Sequence, residues 1–171
     1  MLYVNDHLVT EEKEVEIVAQ QLKDYLFTEK LIIVKQDQQP MSQDELASLL
    51  LNNNPELRLV AMHTSVLLSE FNDELETYIR KVEVYIEDMR ETENFSDVLS
   101  GFVQVTEALL EFSSVEEFLQ KSLLDQQQMN DISTKALARA EEGNYEYVLD
   151  VLEYEVLTIL QHFLDETNEV M

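Results

Sequence analysis

The spacing of apolar residues changes near residue 63, and this change predicts two kinds of structure in one chain. Before residue 63, apolar runs of strand length alternate with helical stretches. After it, every long stretch has apolar residues at the three- and four-residue spacing of an amphipathic helix. The pattern predicts an α+β protein that is mostly α overall. A small α+β unit is expected over residues 1–63 and a helical bundle over residues 64–171.

The chain is expected to begin with a small hairpin. Apolar residues at positions 1–4 and 8–9 flank Asn5-Asp6, a pair of residues that favours a tight turn. Thr10 is followed by two glutamates, and this predicts the start of a first helix, because carboxylates are favourable at the positive end of a helix dipole.

Two further strands and a second helix complete the predicted first unit. Leu31–Val34 and Leu57–His63 have the apolar patterns of strands. Ser42 and Glu45 fit a capping box, which predicts a short helix through Leu51. The expected order is therefore ββαβαβ, with the helices covering one face of a sheet.

Four amphipathic helices with short connections are predicted in the second part, which favours an antiparallel four-helix bundle. Asn94 is expected to cap the second helix. A capping box that starts at Ser114 is expected to open a third helix, which runs to Gly143. Asn144 is expected to cap the last helix. The first helix carries a heptad seam of Leu68, Phe71, Leu75, Tyr78, Val82, Tyr85 and Met89.

Charge narrows the choice of partners. The 171 residues include 36 acidic and 11 basic side chains, for a formal net charge of −25, while 45% hydrophobic residues argue against disorder. Residues 64–171 hold 25 acids and 6 bases, and residues 1–63 hold 11 acids and 5 bases. Such a surface repels nucleic-acid phosphates and anionic membranes and attracts a basic partner, unless the charge serves solubility alone.

Most catalytic and metal-binding motifs are absent from the sequence. There is no cysteine, and two glycines are too few for a phosphate-cradling loop or a dinucleotide fingerprint. None of His7, His63 and His162 belongs to a Glu-x-x-His or His-Glu-x-x-His motif, and no calcium loop occurs. We therefore predict no catalytic residue, no metal ligand and no cofactor, and a structural role for His63.

The last predicted helix carries a cluster of carboxylates. Glu146, Asp150 and Glu153 follow one another at four- and three-residue spacing and so share a helical face. They form a patch for a basic partner, a weak divalent-cation site or simply a solvated face.

A second apolar face is predicted on the same helix. Tyr147 and Tyr154 are seven residues apart, with Val151 between them, and all three lie off the main apolar stripe. A helix that is apolar on two sides is either central in its fold or contacts another chain. The candidate partner-binding residues are Glu146, Tyr147, Asp150, Val151, Glu153 and Tyr154.

Both ends of the chain show a resemblance to known sequences. The start at Leu2–Asp6, the stretch Ala140–Tyr145 and the following Leu152–Glu155 are similar to segments of small, acidic, uncharacterised proteins of Gram-positive bacteria. The resemblance implies a cytoplasmic bacterial origin, and it implies no activity and no site residues.

The sequence favours a non-enzymatic, cytoplasmic interaction or adaptor protein. It would present an acidic helical surface to a protein partner or to a second copy of itself. One alternative is an inhibitor of a basic protein that mimics nucleic acid; another is a small-molecule or enzymatic pocket between the two parts. The apolar runs are too short for a membrane span and no basic leader precedes them, so neither a membrane nor export is expected.

Overall fold

The computed structural model describes residues 1–119 and 121–171. It is mostly helical and contains a small four-stranded mixed sheet, so the prediction of a mostly helical α+β protein is confirmed at that level. The chain forms two compact units. Met1–Ser69 with Val170–Met171 make up the sheet unit, and Glu70–Glu169 make up the helical unit.

The sheet is built from four short strands in the order β2-β1-β4-β3. They are β1 (Leu2–Val4), β2 (His7–Thr10), β3 (Leu31–Val34) and β4 (Leu57–His63). The central pair, β1 and β4, is parallel, and both outer pairs are antiparallel. The two helices of this unit are α1 (Val15–Glu29) and α2 (Gln43–Leu51).

The predicted hairpin is confirmed, and its turn residue Asn5 also joins two strands. Asn5 and Asp6 have φ angles of 49° and 66°, the left-handed values that suit a tight hairpin turn. The Asn5 side-chain amide donates to the Ala61 carbonyl at 3.0 Å and accepts from the Ala61 N–H at 2.9 Å. One side chain thus extends the pairing of β1 with β4 beyond the end of β1.

The predicted helix start at Thr10 is wrong. Thr10 is the last residue of β2, and its hydroxyl accepts from the Glu12 N–H at 3.1 Å. This bond holds a short turn, and α1 begins only at Val15. The capping box at Ser42 is confirmed, since Ser42 accepts from the Glu45 N–H and the Glu45 carboxylate accepts from the Ser42 N–H.

The core of the sheet unit lies between one face of the sheet and its two helices. Along β4, Leu59 and Ala61 are buried while Arg58 and Val60 are exposed, the alternation expected of a sheet covered on one side. The buried residues of this core are Leu2, Val4, Val18, Leu22, Ile33, Leu59 and Ala61.

The helical unit contains most of a long first helix and five further α-helical segments. The first is α3 (Thr64–Thr92), which begins in the sheet unit. The others are α4 (Val98–Phe112), α5 (Val115–Leu119), α6 (Gln126–Glu141), α7 (Tyr145–Val151) and α8 (Leu157–Val170). Between α7 and α8, residues Leu152–Val156 continue the helix as a π-helical turn.

The prediction of one helix from Ser114 to Gly143 is wrong. Residues 121–125 are not helical, and the Glu116 carboxylate accepts from the backbone N–H groups of Leu123 and Leu124 at 3.1 and 2.7 Å. Asp125 then caps α6 by accepting from the N–H groups of the next turn. The sequence does not show this break, because its apolar residues keep helical spacing.

The predicted cap at Asn94 is also wrong, because α4 begins at Val98 with Asp97 as the flanking residue. Asn94 accepts instead from the Ser96 hydroxyl at 2.8 Å. By contrast, the predicted helix end at Gly143, after α6, and the predicted cap of α7 at Asn144 are both confirmed. Gly143 has a φ of 76°, and the Asn144 side chain accepts from the Tyr147 N–H at 3.2 Å.

The core of the helical unit is apolar and fully closed at its centre. Phe163 and Leu109 are both 0% exposed. On α4 the buried side is formed by Val98, Phe102, Val105 and Leu109. Tyr85 of α3 packs over Gly101 of α4, where a Cβ atom would lie 2.3 Å from the tyrosine hydroxyl. A larger residue at position 101 would therefore have to displace the end of the Tyr85 side chain.

Candidate functional site

The structure places the predicted partner-binding residues on α7 and on the π-helical turn that follows it. Their environments differ widely. Glu146 and Tyr154 are exposed, Tyr147, Asp150 and Glu153 are partly exposed, and Val151 is buried.

Local sequence explains why this segment is helical and where it begins. Asn144 caps α7, and Glu146 lies in the first turn, where a carboxylate stabilises the positive end of the helix dipole. The π-helical turn contains Glu153 and Tyr154 and widens the helix there. Such single wide turns are frequent at functional sites, which makes this segment a reasonable candidate.

Two carboxylates of the predicted acidic face already hold a cation from the same unit. The Arg90 guanidinium of α3 lies 2.7 Å from Asp150 and 2.5 Å from Glu153. Its hydrogen bonds to Asp150 and then to Glu153 raise the pKa of Arg90 above its ordinary value. Of the three predicted carboxylates, Glu146 alone stays exposed. The face is therefore less acidic toward solvent than its sequence indicates.

The proposed second apolar face of this helix is divided in the structure. Val151 is 4% exposed and belongs to the core, so at that position the helix is central in its own fold. Tyr147 packs against the same core and lies under the Arg139 guanidinium at 5.0 Å. Tyr154 is 68% exposed and is the one strongly exposed aromatic residue of the predicted set.

Tyr154 borders an open groove that the sequence did not predict. The groove has a volume of about 420 Å³ and lies between α6 and the segment that contains the π-helical turn. Lys135 pairs across it with Glu155 at 2.6 Å. Asp125 and Asp131 also line it. Among the described residues no group of three or more His, Asp or Glu is placed so that it could hold a metal ion.

The cations of the helical region are almost all paired within it. Among the described residues, five of the six Lys and Arg side chains of residues 64–171 lie within 4 Å of a carboxylate. The pairing lowers the pKa of Glu166 below its ordinary value, chiefly through its hydrogen bond with Lys121. These five cations contact six of the region's 25 carboxylates, so the surplus of negative charge faces solvent.

A surface that the sequence analysis missed lies on α4. Val103 and Leu110 are 42% and 48% exposed, and they are seven residues apart on one side of the helix. Leu99 lies on the same side and is partly exposed. Glu107 and Glu111 are the only charged residues of α4. The signal was present in the sequence, because α4 has apolar residues on two sides.

The segment that contains α4 is also apolar enough to be tested as a membrane span. Val98–Leu119 meets the length and composition expected of one, with a mean hydropathy of 1.2, and no other segment of the described residues does. A core helix meets the same test, and α4 supplies four buried residues to the core of the helical unit. The turn at residues 113–114 interrupts this segment.

The sheet unit has a cavity of its own, with a volume of about 510 Å³. Leu2, Val18 and Leu49 form part of its apolar wall, and Glu12 and Lys13 lie among its polar lining residues. The three histidines of the chain are exposed. His63 ends β4, and no hydrogen bond or ion pair of the described residues joins it to a serine or a carboxylate.

Comparison with known proteins adds no family assignment. No family model, no curated protein and no solved structure matches the chain. The function must therefore be argued from the site itself.

Proposed function

We propose that the protein is a non-enzymatic interaction protein whose helical region presents an acidic surface to a protein partner. The observation that carries the proposal is the imbalance of charge left after internal pairing. In the part of the chain that the structure describes, five of the region's six cations contact six of its 25 carboxylates. Charge of one sign on an ordered surface steers a partner of the opposite sign and increases its association rate.

The finer architecture supports the same proposal. We interpret the sheet unit as a ββαβαβ unit and the helical unit as an antiparallel four-helix bundle. Its helices would be α3, α4, α5 with α6, and α7 continued through the π-helical turn into α8. A bundle holds its outer faces rigid, and a rigid face presents carboxylates at fixed spacing to a partner.

The proposed partner surface includes Glu146, Tyr147 and Tyr154 but depends less on Val151. Val151 is buried, and the carboxylates of Asp150 and Glu153 hold Arg90. Exposed Tyr154 fits a role at the surface, because tyrosine supplies a large contact area at low entropic cost. The partner is expected to carry Lys and Arg around an apolar centre.

The experiment measures the mass of the complex that contains the chain in a fresh extract of its own cells, at low and at moderate salt. The proposal expects a complex at low salt that dissociates as salt screens the charges. A protein recovered from this complex must carry a basic surface and must rebind the pure chain. A monomer at both salt concentrations would contradict the proposal, and so would a complex that salt does not affect.

A further inference from the structure

We propose that a basic amphipathic helix of a partner protein docks on the seam between α4 and α6. The seam is defined by the exposed side chains of Val103 and Leu110 on α4 and Leu137 on α6, together with half-buried Leu99 on α4. The inference rests on the proposed function and names the chemistry of its partner.

The flanks of α4 locate one side of the seam. Gly101 and Phe112 lie on the flank that contacts Tyr85, Phe71 and Tyr78 of α3. At 100° per residue, Val103 and Leu110 lie almost opposite that flank. They are not covered by α3 and are 42% and 48% exposed.

The flanks of α6 locate the other side. Lys135 and Arg139 reach Glu155 and Tyr147, so one flank of α6 faces α7 and the π-helical turn. Leu137 lies on the opposite flank and is 48% exposed. The helix α7 packs against both α4 and α6, and α4 also contacts α6. Since α3 lies against the opposite flank of α4, we place the free flanks of α4 and α6 along one seam.

The charges at the edge of the seam decide between its possible occupants. On α4, Glu107 is exposed beside Val103 and Leu110; on α6, Glu141 is exposed beside Leu137. The nearest cations on α6, Lys135 and Arg139, belong to the other flank and are paired there. A second copy of the chain would set the same carboxylates against one another, with a net charge of −25 on each molecule. A helix with Lys and Arg beside its apolar stripe complements this edge.

The spacing of the seam residues fits a helix as the docked element. Leu99, Val103 and Leu110 recur at four and seven residues on α4. Leu137 lies on the free flank of α6, a helix that contacts α4. A groove between two helices accepts the apolar stripe of a third at i, i+3, i+4 and i+7. The apolar contact supplies affinity, and the carboxylates supply orientation and association rate.

The test is a titration of the full chain with a synthetic helical peptide, in which NMR or fluorescence detects binding. The peptide has one leucine stripe flanked by lysines, and its control has the same composition with the leucines spread around the helix. We expect the control to bind at least about tenfold more weakly, since apolar anchors in one groove dominate such contacts. Equal binding of both peptides would overturn the proposal, because charge alone would then explain it.

Variants of the chain make the test specific to the seam. Leu110→Asp and Val103→Asp are each expected to weaken binding of the leucine-stripe peptide by about tenfold or more. Val84→Asp is the matched control, because Val84 is 55% exposed on α3, away from the seam, and it should leave binding unchanged. Unfolding curves check that each variant folds. If both seam variants bind like wild type, the docking site is wrong.

Two results separate this inference from the proposed function. A native complex that forms in extract and survives Leu110→Asp would overturn the seam and leave the acidic-surface proposal standing. A dimer of the pure chain that Leu110→Asp abolishes would identify a second copy as the occupant and overturn the basic-helix partner.

Discussion

Each of the two units of this chain has an apolar core, but the units differ in their polar contacts and in their charge. In the sheet unit, specific polar contacts fix the positions of short strands and helices. Examples are the two hydrogen bonds between Asn5 and Ala61 and the capping box of Ser42. The helical unit is stabilised by a closed apolar core and carries most of the negative charge. The two units therefore differ most in their charge and in the contacts that position their elements.

The largest expected effect comes from opening the core of the helical unit. Phe163→Ala removes a side chain that is 0% exposed and leaves a cavity. We expect it to lower the free energy of unfolding by about 3–5 kcal/mol. The matched control is Phe27→Ala in the sheet unit, where the ring is 87% exposed and the change should stay within about 0.5 kcal/mol. Chemical denaturation measures both; equal effects would contradict this core assignment.

A second substitution tests the sheet unit at Asn5. Asn5→Gly keeps a residue that tolerates a φ of 49° but removes both hydrogen bonds to Ala61. We expect a loss of about 1–3 kcal/mol, because the N–H and C=O of Ala61 lose their partner. Hydrogen exchange should then rise along β4.

The control for Asn5 is the neighbouring turn residue. Asp6 also has a positive φ, but its side chain makes only an exposed ion pair with Arg58. Asp6→Gly is therefore expected to have a small effect on unfolding. A loss for Asp6→Gly as large as that for Asn5→Gly would mean that the turn, and not the Asn5 amide, stabilises the strand pair.

Salt is expected to act more strongly on the helical unit than on the sheet unit. Residues 64–171 hold 19 more acids than bases, against 6 more in residues 1–63, and like charges on a compact surface repel one another. Moderate salt screens this repulsion and should raise the melting temperature. Hydrogen exchange at low and moderate salt shows which unit gains more protection. A melting temperature that does not rise would contradict the repulsion.

The smallest expected effect concerns pH and the capping box of α2. The Ser42 N–H, and then Lys35, lower the pKa of Glu45 below its ordinary value of 4.5. A carboxylate with a lowered pKa stabilises the folded state above its unfolded pKa, and this contribution is lost as pH falls through the folded pKa. The stability difference between wild type and Glu45→Ala should thus be full at pH 7 and shrink below pH 4.5. A difference that grows in acid would contradict the sign.

Local signals predicted several elements because their causes are themselves local. The turn at Asn5-Asp6, the capping box at Ser42 and the helix end at Gly143 depend on neighbouring residues alone. The break after α5 could not be predicted in this way. It depends on Glu116 reaching two N–H groups seven and eight residues later, in a stretch whose leucines suit a helix.

The candidate site was harder to predict because its neighbours are distant in the chain. Arg90 precedes Asp150 by 60 residues, so the pairing of the acidic face was not visible in the sequence. The sequence shows only the position of Val151 on its own helix, whereas its burial depends on the rest of the core. The exposed side of α4 is not predicted, because the sequence does not show which of the two apolar sides of this helix faces the core.

The central claim is that a partner docks on the seam of the helical unit and does not contact the sheet unit. The direct test places a photo-crosslinking amino acid at position 110, in the seam, or at position 27 of the sheet unit, and irradiates living cells. Position 27 is the more accessible of the two, since Phe27 is 87% exposed and Leu110 is 48% exposed. The account predicts a discrete adduct with one basic protein from position 110 and none from position 27. Adducts from position 27 alone, or none from either position, would contradict it.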